Sequence, residues 1–354
     1  MPLLQHRLQA QAIADARFAT PEDVVRWQVA VQAQDYLGSL WAVGLRMREA
    51  SEAAVEHAIA QRRIVRTWPM RGTLHLVAAD DVRWMLELLA PRVIAANAAR
   101  IERDFALDAK MLAQCRRVVE RVLADGHATP RNDLYTALDA AGIPTAQQRG
   151  LHITGRLAME GLICCGPRVG KQPTFAWLDQ WLPRTRRLPR EDALAELALR
   201  YFSGHGPATV QDFAWWSGLT VKDAQAGLGM VQSQLQQQTV DGRVYWHAAH
   251  AMTTAASRPI ALLPPFDEYL VGYKDRSAAV DPARNRQVIG INGLVNPSIV
   301  IDGRIAGTWK RTLRKDAVVI GTTPFAPLKK TEAKALAAAA ARYGEFLGVS
   351  AELA

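Results

Sequence analysis

The stretch TVQDFAWWSGLTVKDAQAGLGMV, residues 209–231, decides the reading of the fold. Thr209 precedes an apolar run and has Asp212 three positions on, and Thr220 repeats the arrangement with Asp223. A Thr hydroxyl at an N-cap accepts a backbone N–H of the first turn while the acid reaches back to the cap's own N–H, so the spacing predicts two helix starts. Gly218 closes the first helix, and two short helices joined by a tight Gly-containing turn make a helix-turn-helix. On the C-terminal side, residues 238–240 and 243–246 flank Asp241-Gly242, a two-residue hairpin turn, and read as a wing. On the N-terminal side, residues 190–202 form an amphipathic helix ended by Ser203-Gly204-His205-Gly206.

The same order of elements recurs twice upstream, in pattern rather than in identity. In the second copy, residues 107–178, Thr129-Pro130 starts a helix, Gly142-Ile143-Pro144 is the turn, and residues 145–161 are the expected recognition helix. GLICCGPRVGKQPTFAWL, residues 161–178, then supplies two strands around a basic, Gly-rich tip at 166–171. In the first copy a helix opens at Thr20-Pro21 and is expected to run towards Gln34, another runs from Ser51 to about Arg62, and RTWPMRGTLHLV (66–77) alternates like a hairpin turning at Arg71-Gly72. Residues 38–47 fit this pattern poorly. Beyond about Ala256, Asp302-Gly303 and Pro-rich segments mark a β-rich region closed by an Ala-rich helix at 330–346. The expected fold class is therefore α+β: tandem winged-helix domains at 1–105, 106–185 and 186–255, then a small, barrel-like β-rich domain with a terminal helix at 256–354.

Composition agrees with a nucleic-acid partner. The 354 residues exceed one ordinary core, 49% are hydrophobic, and the formal net charge is +9. A basic balance favours polyanions through counterion release, although Arg-rich proteins are also basic for bland reasons. The three cysteines, Cys115, Cys164 and Cys165, give neither a disulfide framework nor a zinc spacing. The N-terminus lacks the apolar core of a signal peptide, and no stretch reaches the about 18 apolar residues of a membrane span, so a cytoplasmic, nucleoid-associated protein with no membrane partner is expected.

Five segments in order, VQAQDYLGSLWAVGLR (31–46), RGTLHLV (71–77), GPATVQDFAWWSGL (206–219), LPPFDEYLVGYKDR (263–276) and VIDGRIAGTWKR (300–311), resemble the bacterial family of AlkZ- and YcaQ-type DNA glycosylases. The resemblance spans nearly the whole chain. It implies tandem winged helices and a β-barrel-like domain wrapped around duplex DNA, removal of N7-alkylated purines including crosslinked ones, and a catalytic Gln-x-Gln or Gln-x-Asp near the start of the first winged helix. Gln32-Ala33-Gln34 occupies that place in the AlkZ-like form. Taken alone, two Gln residues on a helix read as solvated surface.

The implied chemistry is physically coherent. An N7-alkylated purine already carries positive charge and leaves as a neutral base without a strong general acid. What remains is to hold a water beside C1′ and to favour an oxocarbenium-like sugar, and two Gln carbonyl oxygens can do both. Residues two apart do not share a helical face, so the pair is expected where its helix ends, just before Asp35, Gly38 and Ser39. Asp35 next to the pair is a rival catalyst, as general base or stabiliser of the oxocarbenium ion, but reads rather as a backbone cap or a partner of Arg46 or Arg48. Asp267-Glu268, expected on opposite faces of a strand, reads as a salt bridge to Arg276 or a domain-junction contact.

The remaining candidates are weaker. His247 and His250 would need a shared helical face to hold a metal, and no ligand cluster accompanies them. His75 and His152 read as structural, and Trp215-Trp216 as helix core. GPRVGK lacks the spacing of a phosphate-binding loop, so neither a cofactor nor a metal is expected. Arg71, Arg168, Lys171, Lys310 and Arg311, placed at hairpin tips or ends, are the expected DNA contacts. The expected partner is double-stranded DNA containing alkylated bases, met by a monomer, since nothing resembles a dimerisation coiled coil. The alternative is a non-catalytic transcription regulator on the same fold.

Overall fold

Both Thr-headed helix starts form as the spacing predicts. Thr209 and Asp212 cap reciprocally, with Asp212 N–H donating to the Thr209 hydroxyl at 3.1 Å and Thr209 N–H donating to the Asp212 carboxylate at 3.0 Å, at the head of the helix Val210–Ser217. Thr220 caps the helix Val221–Val231 by accepting from Asp223 N–H at 3.0 Å. The strands Leu235–Val240 and Arg243–Ala248 follow as an antiparallel hairpin. The structure is a computed structural model that describes residues 3–249, 260–290 and 293–354.

The architecture is mixed α+β and divides into two compact units. The first comprises Met1–Glu56, Leu194–Trp216 and Thr220–Ala354; the second comprises His57–Ala193 and Ser217–Leu219. In the second unit, the strands run in the order Thr73–Ala78, Ile64–Met70, Ile163–Val169, Gln172–Trp177 and Thr129–Pro130, all antiparallel. Arg71 and Gly72 form the first hairpin's turn with φ of 54° and 71°, the left-handed pair that a tight hairpin requires. Trp68, Ile101, Cys115, Leu134, Ile153 and Phe175 lie in one apolar core between this sheet and its helices. Two details differ from expectation. Thr129-Pro130 pairs with Thr174 and Phe175 as a short strand, so Pro130 precedes its helix, Arg131–Ala140, rather than opening it. The helix expected from Thr145 starts only at Arg149, because Gln147 and Gln148 take positive φ and Asp139 holds the Thr145 backbone and hydroxyl outside it.

The first unit contains a five-stranded sheet in the order Ser350–Leu353, Ala317–Pro324, Arg304–Leu313, Ser298–Ile301 and Ile260–Leu263. Its pairings are antiparallel except that of Ser350–Leu353 with Ala317–Pro324, a parallel edge made possible by the helix Lys330–Leu347 between them. The pattern of the sequence predicts that helix but not the strand after it. Glu332 reaches back to Lys329 N–H at 2.8 Å, as in a capping box. Against the sheet packs the helix Tyr36–Gly44, from the stretch that fits no winged-helix pattern. Trp41, buried, meets Tyr343 and Phe346 at ring-centroid distances of 5.0 and 5.1 Å and donates its indole N–H to Leu262 O at 2.7 Å. Gly44 is required here, since a Cβ on it would lie 2.4 Å from the Phe346 ring. Among the described residues, no helix is long and apolar enough to cross a membrane.

Candidate active site

The N-terminal loop departs from its expected course. Thr20 caps the helix Pro21–Gln28, but this helix stops at Gln28 instead of running towards Gln34. Buried Val29 ends it with φ 65° and ψ −50°, a conformation that β-branched residues rarely adopt. The chain then extends as Ala30–Gln32, turns through Ala33 and Gln34, and re-enters a helix at Tyr36. Strain of this kind persists only where the surroundings over-determine it, and it concentrates at functional sites.

This turn brings the two glutamines together. The Gln32 side-chain Nε2 donates to Gln34 Oε1 at 2.7 Å. Gln32 is only 6% exposed, whereas Gln34 faces solvent. The expected convergence therefore occurs by an extended segment and a turn rather than at a helix end: the strand ends at Gln32, and the turn through Ala33 and Gln34 folds the second side chain back onto the first.

Asp35 caps the next helix by accepting from Gly38 N–H, and its carboxylate lies 3.6 Å from the Arg311 guanidinium rather than beside Arg46 or Arg48. Arg311 also donates to the Tyr343 hydroxyl. Burial pushes the Tyr343 phenol above its usual range, with Arg311 opposing, so it is the neutral hydroxyl that accepts. Lys310 and Arg311 do not sit at a hairpin tip. Both lie inside the ten-residue strand Arg304–Leu313, and the tight turn at Asp302-Gly303 comes before that strand begins. Lys310 is exposed because side chains alternate along the strand: Trp309 points inward, and Lys310, paired with Gly321, points outward.

Behind the loop stands a buried polar network; a salt bridge at Asp267-Glu268 was expected, but not its partner Arg46 nor the contacts of Glu268. Glu268, 1% exposed, accepts the Gln32 backbone N–H on Oε1 at 3.0 Å. Its Oε2 accepts the Trp216 indole N–H at 2.9 Å and lies 3.3 Å from His205 Nε2. Asp267 precedes it at the head of the short helix Glu268–Val271, not on a strand, and caps Tyr269 N–H at 2.9 Å. Its partner is Arg46, not Arg276: the guanidinium grips both Asp267 oxygens at 2.8 and 2.9 Å. Arg276 instead donates to Leu270 O and stands over the Trp215 ring. The only sequence signal for this network was two acids inside an otherwise apolar run, where a charge survives only if it is paired.

The other expected contacts are scattered. Arg71 occupies its hairpin turn, half-buried, and Lys171 is exposed in the turn after the strand Ile163–Val169, with Arg168 half-buried within that strand. His247 lies on the strand Arg243–Ala248, not on a helix, with its ring 4.4 Å from that of His6; His250 falls outside the described residues. His75 is buried with Nδ1 3.0 Å from Thr73 O, and His152 packs on Phe105. Among the described residues no group of three or more His, Cys, Asp or Glu side chains could hold a metal ion.

A turn holding two amides against each other, fixed from behind by a buried carboxylate, belongs to a chain whose residues 25–346 match the family model described as DNA glycosylase AlkZ-like, and the protein belongs to that family. It is an enzyme, a DNA glycosylase, rather than a transcription regulator. Over 359 aligned residues it is 27% identical to a Streptomyces sahachiroi protein named interstrand DNA cross-link repair glycosylase, covering 97% of this chain and 95% of that one. The solved structure of Streptomyces sahachiroi DNA glycosylase AlkZ shares the fold, with a TM-score of 0.80, 24% identity, and coverage of 99% and 98% of the two chains.

Proposed function

We propose that the enzyme hydrolyses the N-glycosidic bond of N7-alkylated purines in duplex DNA with a water held by Gln32 and Gln34. The observation that carries this reading is the 2.7 Å contact between the two side chains in a turn outside any helix. In that contact the Gln34 oxygen uses one lone pair towards Gln32 and keeps a second for a water O–H. As the C1′–N9 bond breaks, its electron pair neutralises the cationic purine. The held water adds to the oxocarbenium carbon, and its surplus proton passes to solvent. The amide oxygens stabilise the sugar cation by their partial charge, and no general acid is required.

The helix, helix-turn-helix and hairpin segments at 1–105, 106–185 and 186–255 act in this reading as winged helices on intracellular DNA, and 256–354 completes the DNA-binding surface of a monomer. Arg71, Arg168, Lys171, Lys310 and Arg311 supply phosphate contacts, Arg311 also steadying Asp35. The name of the Streptomyces relative supports extending the substrate to interstrand cross-links, in which an alkylated purine is likewise the cationic leaving group.

The test is release of 7-methylguanine from alkylated duplex DNA by the wild type and by Gln32→Ala and Gln34→Ala. Loss of each amide should slow release by about 100-fold, the scale of removing one transition-state hydrogen-bonding group. Folded wild-type enzyme that frees no methylated base, or alanine variants as fast as the wild type, would overturn the proposal.

A further inference from the structure

We infer that Glu268 is a positioning residue for catalysis, setting the direction in which Gln32 presents its amide. The inference rests on the catalytic reading of Gln32 and Gln34. Three features point to it. Glu268 is buried and lies 236 residues along the chain from Gln32, yet it accepts that residue's backbone N–H at 3.0 Å. Its two oxygens are divided: Oε1 serves Gln32, while Oε2 serves the Trp216 indole and faces His205. Both Gln32 N–H and Trp216 Nε1–H are donors only, so both oxygens must be acceptors. The carboxylate thus joins the turn that carries the candidate catalytic pair to the helices Arg190–His205 and Val210–Ser217.

A structural role alone would need only that the site be filled and hydrogen-bonded. A positioning role needs an acceptor at the atom that meets Gln32 N–H. Glu268→Gln separates the two, because the amide has the shape of the acid but one acceptor oxygen. Whichever way it turns, its NH2 confronts one of two donor-only groups. With the indole N–H at 2.9 Å and the His205 ring, in its Nε2–H tautomer, both donating to the Oε2 side, the oxygen settles there and the NH2 is left against Gln32 N–H. Trp216→Phe removes the competing donor at nearly the same volume. With the indole gone, the His205 ring in its Nδ1–H tautomer can offer Nε2 as an acceptor to the NH2, leaving the amide oxygen for Gln32.

The experiment measures single-turnover release of 7-methylguanine and, separately, the Kd for the same DNA, for the full-length wild type, Glu268→Gln, Trp216→Phe and Glu268→Gln/Trp216→Phe, below each variant's melting temperature. Glu268→Gln should lower the rate by about 5- to 150-fold, the span that one unsatisfied buried donor corresponds to, with Kd unchanged. The double variant should recover most of that rate despite a lower melting temperature. A Glu268→Gln rate equal to wild type overturns the inference, and so does a double variant slower than Glu268→Gln, which is what additive structural damage produces. Gln32→Ala and Gln34→Ala in the same series separate the two claims. If they are inactive while Glu268→Gln is unimpaired, only the positioning role fails; if they cleave like the wild type, the catalytic reading itself has failed.

Discussion

Replacing Asp267 by Asn should cost the first unit several kilocalories per mole. Arg46 and Asp267 are both fully buried, and the guanidinium uses all five N–H donors: Nε on Gln11 O, one terminal nitrogen on Ala42 O and Asp267, and the other on Gln11 Oε1 and Asp267. The Asp267 carboxylate supplies the counter-charge to that cation, and it also caps Tyr269 N–H. In the Asn variant one oxygen becomes an NH2 facing a guanidinium N–H, and the cation stays buried without its counter-charge. Breaking such a pair from one side costs about 3–5 kcal/mol. For a folding unit of this size each kcal/mol lowers the melting temperature by roughly 2–4 °C, so a fall of about 6–20 °C is expected. Calorimetry and urea unfolding measure it directly. A loss under about 1 kcal/mol would refute the reasoning, since it would mean that the buried cation finds another acceptor or stays hydrated. Replacing both partners by apolar residues of similar volume should recover much of the stability.

Three further outcomes follow from other parts of the structure. Gly44→Ala places a methyl group 2.4 Å from the Phe346 ring and should destabilise by about 1–3 kcal/mol, read as a lower midpoint in urea. Asp275 is held at a pKa of about 2 by hydrogen bonds from Ser277 and by Arg243. Its folded pKa lies below the unfolded value, so its contribution to stability is present above about pH 4 and is lost as pH falls towards 2. Asp275→Asn should flatten that acid limb, and its solvent exposure keeps the change small, as pH-dependent urea titrations will show. Lys171→Ala and Lys310→Ala should each weaken DNA binding regardless of sequence and reduce the slope of log K against log salt by about 0.9 for each phosphate no longer neutralised. Unchanged slopes in fluorescence-anisotropy titrations would remove those residues from the interface.

Local rules were enough wherever partners lie within a few residues of one another. The caps at Thr209 and Thr220 and the turns at Arg71-Gly72 and Asp302-Gly303 are set by side chains and backbone three or fewer positions apart, and they form as read. The proximity of Gln32 and Gln34 was expected as well, but not its geometry. Spacing alone carries the helix on to Gln34, whereas Val29 leaves the helical region within a fully buried setting. Helix propensity has no term for that. Lys310 and Arg311 were placed at a hairpin tip or end because Asp302-Gly303 marks where that strand begins but not how far it runs; pairing through Leu313 with Val318 sets its length.

By itself, then, the sequence determined the α+β class, the capped helix pair at 210–231, the position of the Gln-Ala-Gln motif and the family it resembles, because each of these depends on local periodicity, capping or the order of short segments. Tertiary structure decided how the N-terminal turn is held. Arg46 meets Asp267 across 221 positions, and Gln32 meets Glu268 across 236. Burial makes an unpaired charge or donor costly, and that cost selects partners by their distance in space, which spacing along the chain does not encode.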